Sequence, residues 1–204
     1  MYSSLFYHKS KLSFFAGEIS HWSVDDIPQG LSVTKGRFNV IVTCYLSATL
    51  KEYTTHGGLV RLVTLQPDIV HPRHAVKLTS GQYVVCHGLQ DDPEGCHRLS
   101  IVGPDGLKGS QTLDSVISSE DSPLHIAVDK HGFIFVIDND NKKVLLLNPA
   151  LTSVREILSR DQGLRHPVRV RLDEMRGRVY VTDNLKTDDK YASGRVLVFN
   201  VKQR

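Results

Sequence analysis

Four segments of this 204-residue chain repeat one pattern: a proline, a short apolar strand, a turn and a second apolar strand. The first halves are Pro28-Gln-Gly-Leu-Ser-Val-Thr, Pro72-Arg-His-Ala-Val-Lys-Leu, Pro123-Leu-His-Ile-Ala-Val-Asp and Pro167-Val-Arg-Val-Arg-Leu-Asp. The second halves are Asn39-Val-Ile-Val-Thr-Cys, Gln82-Tyr-Val-Val-Cys-His, Phe133-Ile-Phe-Val-Ile-Asp and Arg178-Val-Tyr-Val-Thr-Asp. The prolines recur at intervals of 44, 51 and 44 residues. A period of roughly 40–50 residues, carried by β-branched and aromatic residues, is that of a four-stranded propeller blade; ankyrin and tetratricopeptide units are shorter and helical. The second strands are near-continuous apolar runs, as a sheet covered on both faces requires. The expected fold is therefore all-β, a β-propeller of four-stranded antiparallel blades. About four full repeats fall at 27–70, 71–121, 122–165 and 166–204, with a partial blade or closing strand in 1–26.

Turn chemistry places the strands more finely. Lys35-Gly36-Arg37, Thr79-Ser80-Gly81 and Lys130-His131-Gly132 read as hairpin turns after the first strand of their repeats. Residues 103–121 carry few strongly apolar positions and read as the loosest part of the chain. The fourth repeat ends after its third strand, so a partial or truncated ring is expected. Leu12–Ile19 is the candidate for a closing outer strand, because a propeller leaves open edges unless its first and last blades meet.

Composition narrows the function classes. A net charge of +3 with neutral histidine is too weakly basic to imply nucleic acid unless the charge gathers on one face. No uninterrupted apolar run near the N-terminus reads as a signal peptide or membrane span, so no membrane partner is expected. Three cysteines do not make a disulfide framework, and Cys44 and Cys86 occupy the same position in consecutive repeats, too far apart to bridge. Two buried thiols in a reducing, cytoplasmic setting are the expectation.

The third repeat, Pro123-Leu-His-Ile-Ala-Val-Asp-Lys-His-Gly-Phe-Ile-Phe-Val-Ile-Asp-Asn-Asp-Asn-Lys-Lys-Val, resembles the NHL class of propeller. The fourth matches in Pro167, Asp173, Tyr180-Val-Thr-Asp183-Asn184 and Arg195-Val. The first two depart: Thr34 and Leu78 replace the first aspartate, and Cys44 and Cys86 the second. The resemblance spans about residues 27–201. It implies a ring usually of six blades, so this chain would hold an incomplete set. It also implies a binding platform of the kind that tripartite-motif ubiquitin ligases carry at their C-terminus. Three cysteines cannot build the zinc sites of a RING or B-box, so a ligase role would need a further portion.

The candidate binding residues lie in the loops leading into each first strand and joining the second to the third. Arg73, His74, His125, Arg169, Lys142 and Lys143 are the expected polar contacts for a protein partner, within a field that also contains Asp91, Asp92, Asp140, Lys186, Asp188, Asp189 and Lys190. RNA through the same basic rim is the alternative, with Tyr45 and Tyr191 as loop aromatics for stacking. His74 and His125 each lie two residues after their proline, so they should sit in comparable places on adjacent blades near the central channel. That makes them weak metal candidates for a propeller lyase or hydrolase, as in related propellers that hold a metal at the axis. The equivalent positions, Gly30 and Arg169, cannot add ligands. No phosphate-cradling loop or nucleophile elbow is present, so no catalytic residue and no cofactor are expected. Asp138 and Asp183 read as turn-holding carboxylates of the repeat rather than an acid–base pair.

Overall fold

The computed structural model describes residues 22–34, 36, 38–88, 96–118, 125–185 and 193–200. They form four antiparallel sheets in chain order. The first blade is β1 (Pro28–Val33), β2 (Val40–Cys44), β3 (Thr49–Tyr53) and β4 (Leu59–Thr64). The second is β5 (His74–Lys77), β6 (Tyr83–His87), β7 (Cys96–Val102) and β8 (Lys108–Ser118). The third is β9 (Ile126–Val128), β10 (Ile134–Asp138), β11 (Lys143–Leu147) and β12 (Val154–Leu158). The fourth holds β13 (Pro167–Asp173), β14 (Arg178–Leu185) and β15 (Ser193–Asn200). Each sheet is a simple meander in which sequence neighbours pair. The first strands of successive blades, β1, β5, β9 and β13, also lie against one another. That is the inner ring of a propeller, and these sheets make a partial β-propeller.

Strand period explains where the core lies. In β6, Tyr83 and Val85 point into a cluster with Ile41, Leu50 and Val63 of the first blade. Val84 and Cys86, on the opposite face, join Ile126, Val136 and Leu147 of the third. Alternate side chains of one strand thus fill two different inter-blade cores, and every residue of β6 is buried. A third core sits between blades three and four, around Ile137, Leu164, Val170 and Val181. Cys44 and Cys86 are buried free thiols, as expected.

The signature aspartates hold turns. Asp129 Oδ1 accepts the N–H groups of His131 and Phe133, closing the β9–β10 hairpin over Gly132 at φ 85°. Where Thr34 replaces that aspartate, its Oγ1 accepts the Asn39 N–H instead. Asp183, fully buried, accepts Arg165 N–H and His166 N–H on one oxygen and the Arg195 guanidinium on the other, so it ties the end of β14 to the loop leading into its own blade. The first blade has Cys44 at this position. There the carboxylate comes from the other side: Asp26, ahead of β1, accepts the N–H groups of Leu46 and Ser47 beyond β2.

One expectation needs revising. The segment read as loose contains β8, an eleven-residue strand paired along β7 with two register irregularities. Its sequence, Lys-Gly-Ser-Gln-Thr-Leu-Asp-Ser-Val-Ile-Ser, is polar because an outermost strand needs less apolar surface. Within 1–26, residues 22–26 form no strand. Instead Trp22 and Val24 pack on Val42, Cys44 and Tyr53, covering the face of the first blade that has no neighbouring sheet among the described residues. The candidate closing strand at Leu12–Ile19 lies outside the described residues, as do Asp91, Asp92, Lys186, Asp188, Asp189, Lys190 and Tyr191.

Candidate functional site

The position two residues after each repeat proline builds a column along the axis. It is Gly30 in β1, His74 in β5, His125 just before β9 and Arg169 in β13. The His74 and His125 rings stack, with centroids 4.4 Å apart and planes 17° from parallel. Gly30 is glycine because His74 lies on it: a Cβ there would come within 2.4 Å of the Arg73 carbonyl oxygen and 2.8 Å of the His74 Cα. Leu31 O can only accept and Ile126 N–H can only donate, so the partners of His74 fix its tautomer. Its Nε2–H donates to Leu31 O at 3.3 Å, and its Nδ1 accepts from Ile126 N–H at 3.3 Å. His125 Nδ1 accepts from Val170 N–H at 3.3 Å. Each histidine therefore takes an N–H from the inner strand of the next blade, and His74 also reaches back to the previous one. The pair is a staple between blades.

Burial, opposed by the Leu31 hydrogen bond, pushes His74 down to about 4. Burial first, then the neighbouring His74 and Arg169 charges, push His125 down to about 3. Both are neutral at pH 7. Their committed nitrogens also revise the metal reading. The lone pairs of both rings at Nδ1 face backbone N–H groups rather than a common point, so the two do not fit a shared ion. Among the described residues, no group of three or more His, Cys, Asp or Glu gathers as a metal site.

A second cluster forms on the loop face. Tyr45 follows β2, while His71 and Arg73 lead into β5. The Tyr45 and His71 rings stack at 4.5 Å and 10°, and the Arg73 guanidinium stands 6.0 Å from the Tyr45 ring centroid. His71 holds φ 48°, a left-handed conformation uncommon outside glycine, which aims its ring at Tyr45. All three side chains are half-buried. Among the described residues, His71 Nδ1 and Arg73 Nε have no hydrogen-bond partner although both atoms are buried. Arg73 N–H donates to Cys86 O, which fixes the backbone that carries the guanidinium.

The remaining candidates scatter. Lys143 opens β11 and pairs with Glu156 of β12 at 2.8 Å, so its charge serves the outer strand. Lys142 sits at φ 57° in the preceding turn. Arg169 is exposed and donates to Val168 O. The structure thus joins His74, His125 and Arg169 along the axis and places Arg73 with Tyr45 and His71; Lys142 and Lys143 belong to neither group. Sequence reading named Tyr45 as a loop aromatic but gave no signal that it stacks on His71.

No protein-family profile matches the sequence, and no curated protein matches it. Solved structures do. A nidogen–laminin complex aligns with 86% of this chain and 65% of its own at 16% identity and a TM-score of 0.60. A protein of unknown function from Bacteroides caccae aligns with 76% of this chain and 55% of its own, at 16% identity and 0.57. Virginiamycin B lyase from Staphylococcus aureus aligns with 85% of this chain and 55% of its own, at 14% identity and 0.52. The chain therefore spans about half to two thirds of the length of these structures. At such identities the likeness is one of fold, and the fold is the one its own strands display: a partial β-propeller.

Proposed function

We propose that this chain is a non-catalytic binding platform of the NHL type that recognises a protein partner through its loop face. The observation that carries the reading is the Tyr45–His71–Arg73 cluster. It is a rigid aromatic stack topped by a guanidinium, and two of its buried nitrogens have no partner among the described residues. Tyrosine and arginine are the side chains that most often anchor protein interfaces, and an unpaired buried donor favours a partner that brings an acceptor. An acidic or carbonyl-rich segment supplies that acceptor. His74 and His125 lie behind the cluster as scaffold, because both ring nitrogens of His74 and Nδ1 of His125 are engaged in joining blades.

The other readings have less support. Tyr45 already stacks on His71, so it does not offer the free aromatic face that single-stranded RNA uses. The lyases among the similar structures lend a fold alone, at 14% and 13% identity. The nidogen–laminin likeness adds modest weight to a protein partner, since that propeller was solved in a protein complex. Two buried free thiols suit a reducing, cytoplasmic compartment.

The test is affinity capture with quantitative mass spectrometry, comparing the native chain with Arg73→Glu and with Arg178→Glu on the opposite face. The reading predicts proteins retained through nuclease treatment, lost in Arg73→Glu and kept in Arg178→Glu. Retention that survives Arg73→Glu, or disappears with nuclease, contradicts it.

A further inference from the structure

We propose that the cleft between the third and fourth blades, on the face opposite the loop cluster, binds a small organic anion with a flat apolar body. The cleft has a volume of about 770 Å³, in the range of roughly 300–1,000 Å³ typical of small-molecule sites. Its floor is apolar: Phe135 and Leu146 from the third blade, Leu172 and Val179 from the fourth. Phe133 stands at the side, 39% exposed, held in place by its N–H bond to Asp129. An exposed phenyl ring fixed at a concave apolar floor is a stacking surface in search of a ligand.

The charges around the cleft select the ligand's sign. Three carboxylates line it, and each is already engaged. Asp129 accepts from the His131 and Phe133 N–H groups, and Glu174 Oε2 accepts from Lys130 N–H. Asp173 accepts both the backbone and the guanidinium of Arg176, with Arg178 opposite it in the β13–β14 register adding only a through-space attraction. Arg155 on one wall and Arg178 on the other are exposed, and their guanidinium groups make no hydrogen bond or ion pair among the described residues. Asp173 is matched by the Arg176 guanidinium, Asp129 and Glu174 each turn one oxygen to backbone N–H groups, and two arginine forks remain without a side-chain partner among the described residues. A bare inorganic anion leaves the apolar floor uncovered. An aromatic or polycyclic carboxylate or sulfonate satisfies both.

The cleft is also held open at a set width. The Lys130–Glu174 hydrogen bond, 2.8 Å long, links the β9–β10 turn to the β13–β14 turn across its mouth. Leu147 and Val179 are buried beneath it in their sheets. Both walls belong to strands present in full, so the site does not depend on how the ring closes.

The test uses two fluorescent probes of similar shape: the anion 1-anilinonaphthalene-8-sulfonate and the neutral N-phenyl-1-naphthylamine. The native protein should bind the anion saturably and more tightly than the neutral dye. Arg155→Ala and Arg178→Ala, both at exposed positions, should each weaken the anion about tenfold, as loss of a charged hydrogen bond implies, and change the neutral dye less than about twofold. Phe133→Ala should weaken both. Thermal melts of each variant check folding, and Leu31→Ser, on the exposed inner strand, should leave anion binding intact. Anion binding that is indifferent to both arginines, or that vanishes with Leu31→Ser, overturns the proposal.

Discussion

Lowering the pH from 7 to 5 should destabilise the protein through its histidine staple, by an amount that can be worked out. His74 and His125 fold neutral, at about 4 and about 3, because burial, the Arg169 charge and, for His125, the adjoining His74 disfavour the imidazolium. In the unfolded chain both return to about 6.5. A lowered value in the folded state means that the unfolded chain binds protons first. The contribution is therefore complete above about pH 6.5 and is lost as pH falls from there toward 4. At pH 5 the unfolded chain sits about 1.5 units below its own value, which at about 1.4 kcal/mol per unit costs about 2 kcal/mol per histidine and about 4 for the pair. That is a large share of the roughly 5–15 kcal/mol that holds a domain together. The assay is urea unfolding at both pH values, with His125→Asn beside the native protein. The asparagine amide oxygen can still accept the Val170 N–H but cannot titrate. The variant should lose about 2 kcal/mol less than the native chain over the same interval. Equal losses would refute the reasoning, as would an NMR titration in which His74 protonates near pH 6.5.

Gly30→Ala drives a methyl group into the Arg73 carbonyl and the His74 backbone, and should lower stability by about 2–3 kcal/mol, read as a fall in Tm with reduced near-UV signal. Asp183→Ala strands the Arg195 guanidinium and two N–H groups, and should cost about 3–5 kcal/mol in denaturant unfolding. Among the described residues Asp138→Ala loses the bonds to Asn141 and should cost about half as much, which the same assay resolves. Glu52, buried and held below the usual carboxylate range against its own desolvation by Lys77, Asn39 and Tyr83, joins the first two blades. Its contribution exists above the unfolded value of about 4.3 and fades as pH falls through the lower folded one, so Glu52→Gln should flatten the acid limb of a stability–pH curve below about pH 4.

The fold was legible because every blade repeats its own grammar. Apolar second strands such as Tyr83–His87 have two buried faces, and composition alone declares that. The axial column was legible in part: counting from the prolines put His74 and His125 in equivalent places on adjacent blades. Counting does not reveal that their nitrogens reach the next blade's backbone, since that depends on blade rotation. The Tyr45–His71 stack was hidden because it needs the left-handed backbone at His71, which residue identity does not announce. Glu52 reads as an exposed strand residue; only the approach of Lys77 and Tyr83 from the second blade makes its burial tolerable. Lys143 reads as a loop cation, and the β11–β12 pairing converts it into a partner for Glu156. Polar β8 was missed because its pairing is backbone work on an outer edge.

The most direct measurement is a nuclear Overhauser contact between the imidazole protons of His74 and His125, recorded on the native chain at neutral pH. Rings stacked at 4.4 Å across neighbouring blades should give a strong cross-peak between residues far apart in sequence. A spectrum with both histidines assigned and no such peak would place the two inner strands apart, and the shared axis with them.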